Sequence, residues 1–122
     1  MILRQLKVWL LDVNVDIRIR KILREFGIAS QSSIKLGWRD LTNGHLLAEA
    51  VKNGYKVLLT RDQIFSLSAQ AARKKYPGFS IVILTLREQP FEKYSASFRA
   101  AWSKNPISPN PGRAIFWPKP EK

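Results

Sequence analysis

Cysteine is absent from the 122 residues, which excludes disulfides, zinc-thiolate sites and cysteine nucleophiles together and fits a reducing compartment. Acidic residues are scarce. Nine Asp and Glu stand against 21 Lys and Arg, a formal net charge of +12. That imbalance draws a molecule toward polyanions, so nucleic acid is the first partner to consider, although solubility or docking on an acidic protein would use the same charge. Long apolar runs are missing as well: no stretch approaches the roughly 20 apolar residues of a membrane span. The opening MILRQLKVWLLDVNV is interrupted by Arg4 and Lys7 and carries no small-residue cleavage site, so a soluble, cytoplasmic protein that stays out of the membrane is expected. Internal repeats and low-complexity tracts are also lacking.

What is present is enough for one packed domain. Hydrophobic residues make up 45% of the chain, including four Trp, three Tyr and six Phe, which argues against disorder. Residues 7–12 form a near-continuous apolar run that stops at Asp12, the pattern of a strand covered on both faces by helices. Over residues 15–26, Val15, Ile19, Ile22, Leu23 and Phe26 recur at helical spacing while Arg18, Lys21, Arg24 and Glu25 point elsewhere, and Gly27 supplies a stop. Residues 28–34 read as a weaker, serine-rich strand, followed by a loop at Leu36-Gly37-Trp38. Asn43 suits an N-cap for a second helix ending at Asn53-Gly54.

Residues 55–60 repeat the logic of the first strand and give way to Thr60-Arg61-Asp62, so a second buried strand delivers a second aspartate. A helix over 66–75, a stop at Pro77-Gly78, a strand over 80–84 and a helix over 90–102 carrying Phe91, Tyr94, Phe98 and Trp102 complete the pattern. The alternation predicts an α/β fold of three layers, a mainly parallel central sheet flanked by helices with right-handed crossovers. Residues 1–104 would be the domain proper. Residues 105–122 would be a proline-rich C-terminal extension, with a short edge strand at 114–117.

In open α/β sheets ligands bind off the carboxyl ends of the strands, where strand order reverses. Asp12 and Asp62 would meet there and form a hard, oxygen-rich site for Mg²⁺ or Mn²⁺, an ion able to activate water and neutralise charge on a phosphodiester. Taken singly, each aspartate reads better as a helix N-cap. Together they would put two uncompensated negative charges in one crevice, which asks for a cation.

Leu11-Asp12-Val13-Asn14, Gly37-Trp38, Leu41-Thr42-Asn43-Gly44-His45-Leu46-Leu47 and Leu58-Leu59-Thr60-Arg61-Asp62-Gln63 resemble, in this order, the successive motifs of a small prokaryotic PIN-like family. The resemblance runs from about residue 8 to 84 and is most distinctive in the Leu41–Leu47 segment. It implies a PIN-like fold and metal-dependent ribonuclease chemistry of the kind found in toxin-antitoxin toxins; a toxin-like protein silenced by an acidic antitoxin protein is a further option. Carried over by position, Asp12 and Asp62 would be metal carboxylates, Asn14 the polar neighbour of Asp12, and Asn43 the group opening the second helix. PIN nucleases gather three or four acids, whereas this chain has Asn43 and His45 where an acid would help, leaving Asp40 and Glu49 as substitutes. A noncatalytic nucleic-acid or protein-binding module is therefore the alternative.

His45 could shuttle a proton near a phosphodiester, although an exposed histidine in a first helical turn is the commoner case. Arg61 could bind phosphate as a planar fork or neutralise Asp62. Arg18, Arg20, Lys21, Arg24, Arg73, Lys74 and Lys75 could make a surface that tracks an RNA backbone. Trp38, Trp102 and Trp117 could stack on unpaired bases, but packing in the core or across a homodimer interface is the more usual role.

Overall fold

The computed structural model of the chain describes residues 8–63 and 74–119. Five strands form one sheet in the order β2-β1-β3-β4-β5, with every neighbouring pair parallel. The strands are β1 (Val8–Leu11), β2 (Ala29–Ser32), β3 (Val57–Thr60), β4 (Ser80–Leu84) and β5 (Ala114–Trp117), and the helices are α1 (Ile19–Glu25), α2 (Asn43–Lys52) and α3 (Phe91–Lys104). The α/β class and the parallel sheet agree with expectation. The helix expected over 66–75 lies almost wholly outside the described residues, with only Lys74 and Lys75 seen as helical.

The three inner strands are apolar on both sides because both sides are covered. Alternate residues part the core into two. Trp9, Leu11, Leu59, Val82 and Trp117 pack with Ile19, Ile22 and Leu23 of α1 and with Tyr94 and Phe98 of α3. Leu10, Leu58, Ile81 and Ile83 pack on the opposite face with Leu46, Leu47 and Ala50 of α2. The edge strands are the more polar or more exposed ones: β2 reads Ala-Ser-Gln-Ser, and β5 leaves Phe116 exposed. Ile107 and Trp117, from the proline-rich segment, are nonetheless buried in the α1/α3 core.

α1 starts four residues later than its apolar spacing predicts. Asp12 and Asp16 carbonyls accept from Val15 and Ile19 N–H groups at 3.0 and 2.9 Å, and the Asp16 carboxylate accepts from the Arg18 N–H at 2.9 Å. Turns thus replace the first helical turn, while Val15 still reaches the core at 2% exposure. At the other end Gly27 takes φ 83°, a conformation that L side chains resist, and the Ile28 N–H bonds back to the Leu23 carbonyl at 2.9 Å. α2 is capped one residue earlier than expected, since the Thr42 hydroxyl, and not the Asn43 side chain, accepts from the His45 N–H.

The expectation of uniformly right-handed crossovers needs one correction. α1 leads from β1 to β2 and α3 from β4 to β5, in opposite directions along the sheet, yet both helices pack on the same face. The two crossovers therefore have opposite hands. The step from β2 through α2 to β3 moves the other way on the other face and shares the hand of the first, so the last crossover is the left-handed one. The return from α3 to β5 is a long connector holding Pro106, Pro109 and Pro111. It frees α3 from the constraint of a tight loop, and α3 packs beside α1 instead of behind the sheet.

Candidate cation and nucleotide site

β1 and β3 are neighbours, and the chain leaves β1 for one face and reaches β3 from the other, so their carboxyl ends mark the point where strand order reverses. Asp12 stands there at 6% exposure. Its N–H still bonds to the Leu59 carbonyl at 2.8 Å, continuing the ladder one residue past β1. Its two carboxylate oxygens accept separately, Oδ1 from the Val13 N–H at 2.7 Å and Oδ2 from the Thr60 hydroxyl at 2.7 Å. Among the described residues, no Lys or Arg forms an ion pair with it.

Thr60 is fully buried and links the segment after β1 to the segment after β3. Besides donating to Asp12, its oxygen accepts from the Asp62 N–H at 3.0 Å and from Asn14 Nδ2 at 3.4 Å. Asn14 Oδ1 in turn accepts from the Arg61 N–H at 2.9 Å. Asp12, Asn14, Arg61 and Asp62 are thus tied into one network across the strand ends. On the other flank the Ser33 N–H bonds to the Leu11 carbonyl at 2.9 Å, which extends the β1–β2 register to set Ser33 alongside Asp12. The Ser33 hydroxyl is buried without a hydrogen-bond partner among the described residues.

The donor chemistry suits Mg²⁺ or Mn²⁺. It consists of oxygen alone, each Asp12 oxygen accepts a single hydrogen bond from the described residues, and the Ser33 hydroxyl, orphaned among those residues, lies at the same strand ends. Among the described residues no three His, Cys, Asp or Glu converge as a metal-binding group, and of the nine acids only Glu121 lies outside those residues. Asp40 is exposed in the turn before α2. Glu49 lies along α2, where Asn53 Nδ2 donates to its backbone carbonyl at 2.8 Å. A cation at Asp12 would accordingly need water to complete its shell, since no cage of acids surrounds it among the described residues.

Beside this network a cleft of about 440 Å³ opens between the β1–α1 loop and the start of α3. It exists because α3 returns on the face of α1. Asn14, Asp16, Arg18, Arg61, Glu88 and Gln89 line its polar side, and Phe91 and Tyr94 lie on its apolar side. Arg18 is held flat: Nε and Nη2 donate to the two oxygens of Asp16 at 3.0 and 2.7 Å, and its guanidinium carbon lies 4.0 Å from the Phe91 ring centroid. The hydrogen-bonded guanidinium keeps the Asp16 carboxyl below the usual carboxylate range, against a smaller opposing effect of burial. Arg61 Nη1 donates to Glu88 Oε2 at 3.3 Å, although Glu88 is 81% exposed. Burial pushes the Tyr94 phenol up, with the Arg61 charge opposing.

The other residues singled out by sequence are not part of this hydrogen-bond network. Asn43 is the first residue of α2, and among the described residues no hydrogen bond links it to Asp12, Asn14, Thr60 or Arg61. His45 is exposed, its Nδ1 lying 3.2 Å from the Thr42 hydroxyl in the helix cap. Lys21 and Arg24 are exposed on α1, and Arg24 borders a groove with Arg20 and Gly27 at the end of the sheet remote from Asp12. Arg20 donates to the Ser30 carbonyl at 2.9 Å. Trp102 stacks on Phe26 with centroids 4.7 Å apart, Trp117 lies against Phe98 at 5.0 Å, and Trp38 meets Tyr55 edge-on, so all three pack within the protein. Sequence reading passed over Thr60, Ser33, Asp16, Glu88 and Gln89. A hydroxyl at the last position of an otherwise apolar strand was the available signal for Thr60.

Among the described residues no helix is long and apolar enough to cross a membrane. Compared with family models, with curated proteins and with solved structures, the chain matches none.

Proposed function

We propose that this protein is a PIN-like, metal-dependent ribonuclease in which Asp12 and Asp62 hold Mg²⁺ or Mn²⁺. The supporting observation is Asp12 itself, a carboxylate buried at the strand-order switch point with no cationic side chain paired to it among the described residues. A buried unpaired charge is costly, and a bound cation removes that cost. Bound there, the ion would supply charge neutralisation at a phosphodiester and a more acidic water. The protein's own groups would orient and bind: Thr60 and the Val13 N–H fix the Asp12 carboxylate, Asn14 holds the segment carrying Arg61, and Arg61 would contact phosphate. Asn43 would act as the family resemblance implies, from the start of α2. The +12 charge favours RNA as substrate and an acidic antitoxin as partner.

The test is to titrate Mg²⁺ and Mn²⁺ into wild type, Asp12→Ala and Asp62→Ala while following cleavage of single-stranded RNA. Cation-dependent cleavage by wild type, lost in both variants, is expected. Equal cleavage in all three, or none in any, contradicts the proposal.

A second reading, a noncatalytic RNA- or protein-binding module on the same fold, draws on the absence of a third converging acid among the described residues. It predicts salt-sensitive RNA binding without turnover, and an Asp62→Asn variant that binds as well as or better than wild type.

A further inference from the structure

The cleft beside Asp12 has the parts of a nucleotide pocket, and the assignment rests on the nucleic-acid half of the function proposed above but not on hydrolysis or a cation. Arginine planes serve as stacking surfaces for unpaired bases when the guanidinium is held in one orientation. Arg18 meets that condition. Two hydrogen bonds donated to the Asp16 carboxylate fix one edge of the guanidinium and the Phe91 ring supports one face, while the side chain remains 62% exposed. The outward face is thus a preformed platform. Its charge is already balanced by Asp16, so it offers a flat surface more than a free cation.

The remaining lining groups match the rest of a nucleotide. Gln89 donates through Nε2 to the Ser97 hydroxyl at 3.4 Å, which leaves its carbonyl oxygen to accept from a base edge. Arg61 lines the same cleft and, among the described residues, pairs with the carboxylate of Glu88, a contact at 3.3 Å with a largely solvated partner. Exposed pairs of this kind contribute little, and a phosphate makes stronger, bidentate bonds to a guanidinium. Glu88, 81% exposed, is free to swing into solvent and yield its place on Arg61.

We propose that this cleft binds one unpaired nucleotide, its base stacked on the Arg18 guanidinium and its phosphate exchanging with Glu88 on Arg61. Duplex nucleic acid cannot use such a pocket, because its bases are already stacked on one another. The pocket therefore selects single-stranded or looped RNA and delivers the adjoining phosphodiester toward Asp12.

NMR-monitored titrations of AMP, ribose 5-phosphate and inorganic phosphate, all in EDTA, test this without recourse to cleavage. AMP should bind at least about tenfold more tightly than ribose 5-phosphate, the contribution expected of one stacked base. Arg18→Lys keeps the charge and loses the plane, so it should erase that preference while leaving ribose 5-phosphate binding unchanged. Arg61→Ala should weaken all three ligands, and Glu88→Gln should tighten all three. Equal affinity for AMP and ribose 5-phosphate, or a preference that survives Arg18→Lys, overturns the assignment. Nucleotide binding that persists in a protein unable to cleave RNA would leave the pocket standing and remove only the nuclease reading.

Discussion

A threonine hydroxyl has one proton to donate and two lone pairs, and at Thr60 all three are in use. That makes Thr60 the residue through which Asp12, Asn14 and Asp62 sense one another. Thr60→Val preserves shape but leaves Asp12 Oδ2 without its donor in a buried setting. Urea unfolding should show a loss of about 1–3 kcal/mol, with Thr60→Ser much closer to wild type. Asp12 was legible from sequence because a carboxylate ending an apolar run is conspicuous. Thr60 was not, since a terminal hydroxyl in a strand looks like ordinary punctuation until its partner 48 residues away is known. Ser33 was hidden for the same reason, because only the β1–β2 register sets it beside Asp12.

α1 and α3 share one buried apolar cluster and are bridged by one exposed ion pair, and the two should respond differently to mutation. Phe98 has no exposed surface and lies between Tyr94, Trp102 and Trp117, so Phe98→Ala should cost about 3–5 kcal/mol in chemical denaturation. Arg99 donates to both oxygens of Glu25 at 3.0 and 2.8 Å, bridging the helices at the surface. The Arg99 guanidinium holds the Glu25 carboxyl below its ordinary range, against a smaller effect of desolvation. A carboxyl lowered by folding stabilises the fold above its unfolded value and ceases to do so as the pH falls through the folded one. The small stability difference between wild type and Glu25→Gln should therefore be present at neutral pH and vanish on acidification, as thermal melts across a pH series would show.

The helices themselves were readable from their apolar spacing and from Gly27 and Gly54. The late start of α1 was not, because the Asp12 and Asp16 carbonyls and the Asp16 carboxylate build turns that compete with the helix. The hand of the last crossover was equally out of reach. Sequence periodicity shows that α3 has an apolar face, but not which side of the sheet that face will cover.

At the scale of the whole molecule, polyanion binding driven by a net charge of +12 would weaken steeply with salt. Single-stranded RNA affinity measured across a salt series should fall log-linearly, and Arg61→Ala should reduce the slope by about one phosphate contact. The left-handed return of α3 brings Phe91, Tyr94, Glu88 and Gln89 beside Arg18 and Arg61, so the cleft is a product of topology as much as of any side chain. Parallel strands order the carboxyl ends, the switch point places Asp12 and Asp62 there, and α3 closes the side. If those strand ends serve a cation, its binding is the property on which the ribonuclease reading depends. The free-ion signal of Mn²⁺, followed by electron paramagnetic resonance as protein is added, reads this directly. Wild type should remove Mn²⁺ saturably, with Asp12→Asn and Asp62→Asn each folded but at least about tenfold weaker; uptake unchanged in both variants, or none by wild type, would contradict a cation site at Asp12 and Asp62.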